Sequence, residues 1–348
     1  MPLGFIGEIL FGEYRMIGRH SFLCLGILVL PLVLAGCGQT AFRIEMVPTD
    51  RRLEETCIQR DAGLFVSDKI VIIDIDGVIA DRRKGGWLRS GENPVSLFIE
   101  KLDKAAADRS VKAVILRLNS PGGTVAASDI MYHRLLQFRQ QTDKPVIACI
   151  LGMCCSGAYY IACGCDGIVA QPSGVVGNIG TIFQTFSVAG TMQKIGVKAV
   201  TIKSGELKDL ASPLHDLRPE EQKVLQGIIT HLSEQFFAVV RKGRKRIDEQ
   251  KMAELSDGRV FTAEQGLEQG LIDKIGYLDD GIKWAKEMAG IKKSRVVIYH
   301  RPSSYEPNAY SVASAEANGL GPLVNLELPD WLEAGGAQFL YLWQPAVK

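Results

Sequence analysis

VKAVILRLNSPGGTVAASDIMYHRLLQFRQQTDKPVIACILGMCCSGAYYIA, residues 111–162, holds the pattern that decides the fold. VKAVILRLN (111–119) is a near-continuous apolar run and predicts a buried strand; TVAASDIMYHRLLQFRQQ (124–141) predicts a helix. DKPVIACILG (143–152) predicts a second strand, and SGAYYIACG (156–164) a short helix that starts near Ser156. Two apolar strands joined by a helical crossover pair in parallel, with the helix on one face of the sheet. Working outward, KIVIIDIDGVIA (69–80) and DGIVAQPS (166–173) add strands, and NPVSLFIEKLDKAAAD (93–108) adds a helix. VVGNIGTIFQTFS (175–187) reads as extended chain with glycine bends, TMQKIG (191–196) as helix and KAVTIKSG (198–205) as strand. A long amphipathic helix follows at 218–244, then a helix, a turn and another helix at 261–290. The expectation is an α/β fold, a mainly parallel sheet with flanking helices.

With 348 residues and 47% hydrophobic content, the chain can bury one large core and a small appendage. A net charge of +1, with no basic patch interleaved with aromatics, gives no reason to expect nucleic acid. RKGRKR (241–246) reads as a solvated helix end, with contact to anionic lipid or a partner as the alternative. Arg15, Arg19 and His20 precede the apolar stretch 21–36, which runs into Leu34, Ala35, Gly36 and Cys37. This looks like a bacterial lipobox, with Cys37 as the lipidated first residue of the mature chain; an uncleaved anchor is the alternative. Either one places the body outside the cytoplasm, at a membrane of the cell envelope. Met16 is a candidate true start. The organisation expected is a signal peptide (1–36), a polar tether (37–68), a body (69–295) and an appendage (296–348) whose apolar end, QFLYLWQP, docks on the body or a neighbour.

Chemistry concentrates in three places. Ser156 at a helix start has backbone N–H groups and a favourable dipole beside it, although an ordinary N-cap serine has the same signature. In NSPGG (119–123) the Gly122 and Gly123 amides can face an oxyanion with no side chain in the way, although PGG alone is a turn. Both segments follow the carboxyl ends of predicted parallel strands, where open α/β sheets place ligands. A serine hydroxyl needs a base. No histidine lies between His133 and His215, so His133, His215 or His231 would have to fold back, and none sits in a motif. A lysine can serve once burial removes its charge, and Lys198, Lys203 and Lys208 are the candidates, the last in TIKSGELKDLASP (201–213). Cys57, Cys149, Cys154, Cys155, Cys163 and Cys165 read as small buried filler; a disulfide is permitted outside the cytoplasm, and metal binding is disfavoured because no histidine accompanies CC or CGC. No cofactor and no metal is expected.

NSPGG, CCSGAYYIA, GNIGTI, KSGELKD and FTAEQGLEQGLID, in this order between about 69 and 290, resemble the signal peptide peptidase A family, membrane-bound serine peptidases of the ClpP/crotonase fold. The resemblance implies Ser156 as nucleophile and Lys208 as general base, with the Gly123 amide, helped by Gly157, in the oxyanion hole and Lys203 structural. It implies peptide substrates, remnants of signal peptides among them, laid along a strand edge near NSPGG with a side chain in a shallow apolar pocket. It also implies a dome-like homo-oligomer, octameric in one form, in which the lysine can come from a neighbouring subunit. The chain departs from the family's AASGGYY at Cys154, Cys155 and Ala158, and from GSIG at Asn178, whose amide oxygen takes the place of a lysine-tuning hydroxyl. Those departures keep open a catalytically inactive peptide-binding scaffold of the same fold; a crotonase-type enzyme using coenzyme A fits poorly with an export signal.

Overall fold

The computed structural model describes residues 52–81, 92–302 and 338–343. Strands β1 (Glu54–Arg60) and β2 (Lys69–Asp76) lead to helix α1 (Pro94–Ala107), β3 (Val111–Ser120), the short β4 (Gly122–Thr124) and α2 (Val125–Thr142). Then come β5 (Val146–Cys155), α3 (Gly157–Ala162), β6 (Gly167–Ala170), β7 (Val175–Gly177), β8 (Ile182–Gln184) and α4 (Ala189–Lys194). The long α5 (Pro219–Gly243) precedes α6 (Glu249–Leu255), β9 (Val260–Thr262), α7 (Ala263–Glu268), β10 (Lys274–Ile275), α8 (Leu278–Met288), β11 (Arg295–His300) and β12 (Gln338–Leu342).

The main sheet runs β1-β11-β2-β3-β5-β6-β10 and is parallel except for β1 at one edge. Strand alternation divides its side chains between two cores. Val114, Leu116 and Leu118 of β3 face one, with Val95, Phe98 and Leu102 of α1 and Met131, Leu135 and Phe138 of α2. Ala113 and Ile115 face the other, under Leu278, Ile282 and Ala285 of α8. The helical residues recur three and four apart, the spacing of one buried helix face. Asn93 starts α1 by accepting from the N–H groups of Val95 and Ser96, and Pro94 sets the first turn.

The α/β expectation holds, with three differences in detail. Residues 54–60, in the stretch assigned to a tether, pair antiparallel with β11 and complete the sheet. Residues 198–205, expected as a strand, pair with no strand among the described residues and form irregular chain and bends. In the RKGRKR cluster, Arg244 turns inward, pairing with Asp273 at 2.7 Å and donating to the Gly270 carbonyl at 3.0 Å. The expected signal segment and Cys37 lie outside the described residues. Among the described residues no helix is long and apolar enough to cross a membrane.

Candidate active site

β5 changes partners along its length. Ile147–Ile150 pair with β6, whereas Met153–Cys155 pair with β7, so the end of the strand splits away from β6 before the chain turns into α3. Ser156 makes that turn with φ +52° and ψ −117°, a conformation that costs a residue with a Cβ about 1–3 kcal/mol. Its N–H donates to the Gly177 carbonyl at 2.8 Å, and its own carbonyl accepts from the Tyr160 N–H at 2.9 Å. The backbone is therefore pinned on both sides. The hydroxyl is not: Ser156 is 1% exposed and its Oγ has no hydrogen-bond partner among the described residues. A buried hydroxyl left unsatisfied on a strained strand-to-helix turn is the arrangement that presents a nucleophile.

NSPGG lies beside it and is tied down by hydrogen bonds. Asn119 donates to Asp76 at 3.0 Å and accepts from the Met153 N–H at 3.3 Å; Ser120 Oγ donates to the Gly77 carbonyl at 2.6 Å. The Gly122 N–H is directed to Ser120 Oγ at 3.1 Å, so at φ +103° Gly122 contributes space and a turn. A Cβ there would lie 2.7 Å from the Gly157 nitrogen and would collide with the Tyr341 carbonyl oxygen. A Cβ on Gly157 would stand 3.1 Å from the same oxygen and 3.2 Å from the Gly123 nitrogen. Gly122, Gly123 and Gly157 thus converge on one carbonyl.

That carbonyl belongs to β12, which lies antiparallel between β4 and β8. Tyr341 faces Gly123, and the Trp343 N–H donates to the Pro121 carbonyl at 2.8 Å. Two residues along each strand, the ladder's alternation makes Tyr341 and Gly123 a hydrogen-bonded pair, with the Gly123 N–H donating to the Tyr341 carbonyl. The Tyr341 ring stacks on Tyr160, centroids 5.3 Å apart, contacts Phe236 at 4.8 Å and donates its hydroxyl to the Leu232 carbonyl of α5 at 2.7 Å. Tyr160 in turn donates to Asp129 at 2.8 Å; burial, then that carboxylate, raises its phenol's pKa and keeps it protonated. A cavity of about 640 Å³ beside β12 is lined by Thr124, Asp129, Tyr160, Leu232 and Gln235. The strand that carries Tyr341 was anticipated only as a docking appendage. Its one sequence signal was the aromatic, apolar QFLYL run.

Lys208 sits in the turns that follow Gly205 and is exposed, its N–H donating to the Gly205 carbonyl at 3.1 Å. Among the described residues the Ser156 hydroxyl makes no hydrogen bond to this amine, to Lys198, to Lys203 or to a histidine. The segment that bears Lys208 also exposes apolar side chains: Ile202 is 97% and Val200 78% exposed, with Leu207, Leu214 and Leu217 also exposed. Asn178, at φ +52°, follows Gly177 and donates its side-chain amide to the Gly258 carbonyl at 2.6 Å. Lys203 is tied to Asp209 at 2.8 Å. The described cysteines are free thiols. Cys149, Cys154 and Cys163 pack in the cores, and burial pushes the Cys155 thiol up to about 12, so it stays protonated and unreactive.

A model of peptidase family S49 matches residues 138–292. A protein of Enterococcus faecium named for a signal peptide peptidase is 35% identical over 231 residues, covering 66% of this chain and 67% of the relative. A protein of Synechocystis named as a protease is 36% identical over 228 residues, covering 66% and 77%. A chloroplast serine protease of Arabidopsis thaliana is 33% identical over 258 residues, covering 73% of this chain and 38% of that protein.

Proposed function

The chain belongs to peptidase family S49 and is a serine peptidase; from that premise we propose that it cleaves extended peptides with Ser156 as nucleophile and with Lys208 of a neighbouring copy as general base. The observation that carries this is the buried Ser156 hydroxyl, unpartnered among the described residues, next to a peptide carbonyl held among three glycines. A substrate strand takes the place of β12, and its carbonyl enters the site of the Tyr341 oxygen, facing the Gly123 and Gly157 amides. Those N–H groups stabilise the oxyanion as Ser156 Oγ adds to the carbonyl carbon; each such donor is typically worth roughly 3–4 kcal/mol. Lys208, uncharged once the interface excludes water, accepts the hydroxyl proton and then delivers it to the leaving amine, and water hydrolyses the acyl-enzyme. Asn178 tunes that lysine from the Ser156 side of the site.

An aromatic ring, as in Tyr341, fits the pocket formed by Tyr160 and Phe236, so substrates with a tyrosine or phenylalanine whose carbonyl is attacked are favoured. Released signal peptides and other unfolded, membrane-associated segments are rich in such apolar stretches. Lipidation at Cys37 would hold the enzyme at the membrane of a bacterial cell envelope where they accumulate. The exposed apolar residues around Lys208 suit contact with a second copy of this chain, in a ring or an octameric dome.

Ser156→Ala and Lys208→Ala should each abolish peptide cleavage without changing assembly. Mixed during reassembly, the two inert chains should regain activity, because some interfaces then carry an intact serine and an intact lysine. Cleavage retained by either single variant overturns the dyad, and mixtures that stay inert overturn its sharing between copies.

A further inference from the structure

Among the described residues no strand pairs with 197–203, in the segment that bears Lys208, and most side chains from Val197 to Lys208 are exposed. What holds it is a set of charges. Lys203 Nζ donates to the Glu206 carbonyl and to Asp209 Oδ1, both at 2.8 Å. Arg218 reaches the same two acceptors, the Glu206 carbonyl at 2.9 Å and Asp209 Oδ1 at 2.9 Å, and also Glu221 Oε1 at 2.5 Å. Glu221 is 0% exposed in the first turn of α5, where its other oxygen accepts from the Arg218 N–H at 3.0 Å. His215 Nε2 stands 3.2 Å from the Asp209 carbonyl oxygen. The turn carrying Lys208 is thus seized two residues before the lysine and one residue after it. Both grips lead through Arg218 to the buried start of a 25-residue helix.

Asp209, His215 and Glu221 are also close enough together to hold a cation, their ligand atoms lying within 4.8 Å of one another. Arg218 and Lys203 already neutralise both carboxylates. Burial alone would raise the Glu221 pKa, but its hydrogen bond to Arg218 dominates and lowers it, as the one to Lys203 lowers that of Asp209. The cluster is an ion network that ties the loop to α5.

Resting on the assignment of Lys208 as the base, we propose that Arg218 and Asp209 are positioning residues that fix the Lys208 turn against α5, so that the amine enters the neighbouring copy's site at a set height. A flexible lysine on an unanchored loop would reach Ser156 only part of the time, and misplacement by about 1 Å can cost roughly 100-fold in rate. Arginine suits the task because one planar group serves several acceptors at once.

The test uses the full assembled enzyme and the variants Arg218→Met, Asp209→Asn and, as control, Lys208→Ala. Arg218→Met and Asp209→Asn should lower kcat at pH 7 by roughly 10- to 100-fold, with KM within about twofold of the parent and assembly mass unchanged. Should Arg218→Met fail to assemble, the near-isosteric Asp209→Asn decides by its split between kcat and KM. Unchanged kcat in the assembled variants, or a loss carried by KM alone, overturns the positioning role. An active Lys208→Ala overturns the dyad instead, and inert Lys208→Ala beside fully active Asp209→Asn and Arg218→Met overturns only the clamp.

Discussion

Ser156 holds a conformation its side chain disfavours, and the fold keeps it there with two backbone hydrogen bonds at 2.8 and 2.9 Å. Strain retained at such a point is explained by the position it gives the hydroxyl, and it predicts a stability cost that function maintains. Ser156→Gly should therefore be more stable than Ser156→Ala by about 1 kcal/mol, since glycine adopts positive φ freely while alanine keeps the strain. Calorimetry on the two inert variants measures this directly, and a glycine variant melting below the alanine variant would remove strain from the account. The serine and the glycine cradle were readable in the chain because their signal is local: small residues at a strand end, immediately before a helix. The pairing of Arg218 with Asp209 was not, since it depends on how the turns at 205–218 close, and no periodicity reports that.

Strands depend on neighbours in a way that helices do not, and this sets what could be read at the level of elements. The 111–162 unit was legible because each strand is apolar on both faces and separated by a helix of crossover length. Glu54–Arg60 was not: its alternation is masked by charged residues facing solvent, and only β11, far along the chain, makes it a strand. KAVTIKSG errs the other way, having strand propensity without an edge to join. Helix α5 shows the same dependence in its packing. Phe236 and Val240 are buried near its end, while Val224 and Ile228, one turn apart near its start, stay 40% and 37% exposed. If that face and the apolar surface around Lys208 form a single contact between copies, Val224→Glu with Ile228→Glu should split the assembly and lower activity by at least about 10-fold while leaving each chain folded. Native mass, circular dichroism and a cleavage assay together check this; an intact, active oligomer would move the interface elsewhere.

At the scale of the molecule, the main sheet and β12 oppose each other. In the proposed reaction an extended peptide lies where β12 pairs with β4 and β8, and the chain fills that place with residues 338–342 of its own. Tyr341 contributes three aromatic or hydrogen-bonded contacts there, to Tyr160, Phe236 and the Leu232 carbonyl, so release of β12 exposes an apolar pocket and carries a free-energy cost. Substrate must meet that cost, and a tethered strand competes at an effective concentration that for short linkers reaches about the millimolar range. Ending the chain before Gln338 should raise kcat/KM on extended peptides by roughly 10-fold or more, most of it in KM. The same truncation should lower the melting temperature by a few degrees, because Tyr160 and Phe236 lose their cover, with about 2–4 °C expected per kcal/mol for a domain of this size. A free peptide of the sequence QFLYLW, added to the truncated enzyme, should bind competitively with substrate and restore the lost melting temperature. An unchanged KM after truncation, together with failure of that peptide to compete, would mean that β12 leaves the groove without cost and regulates nothing.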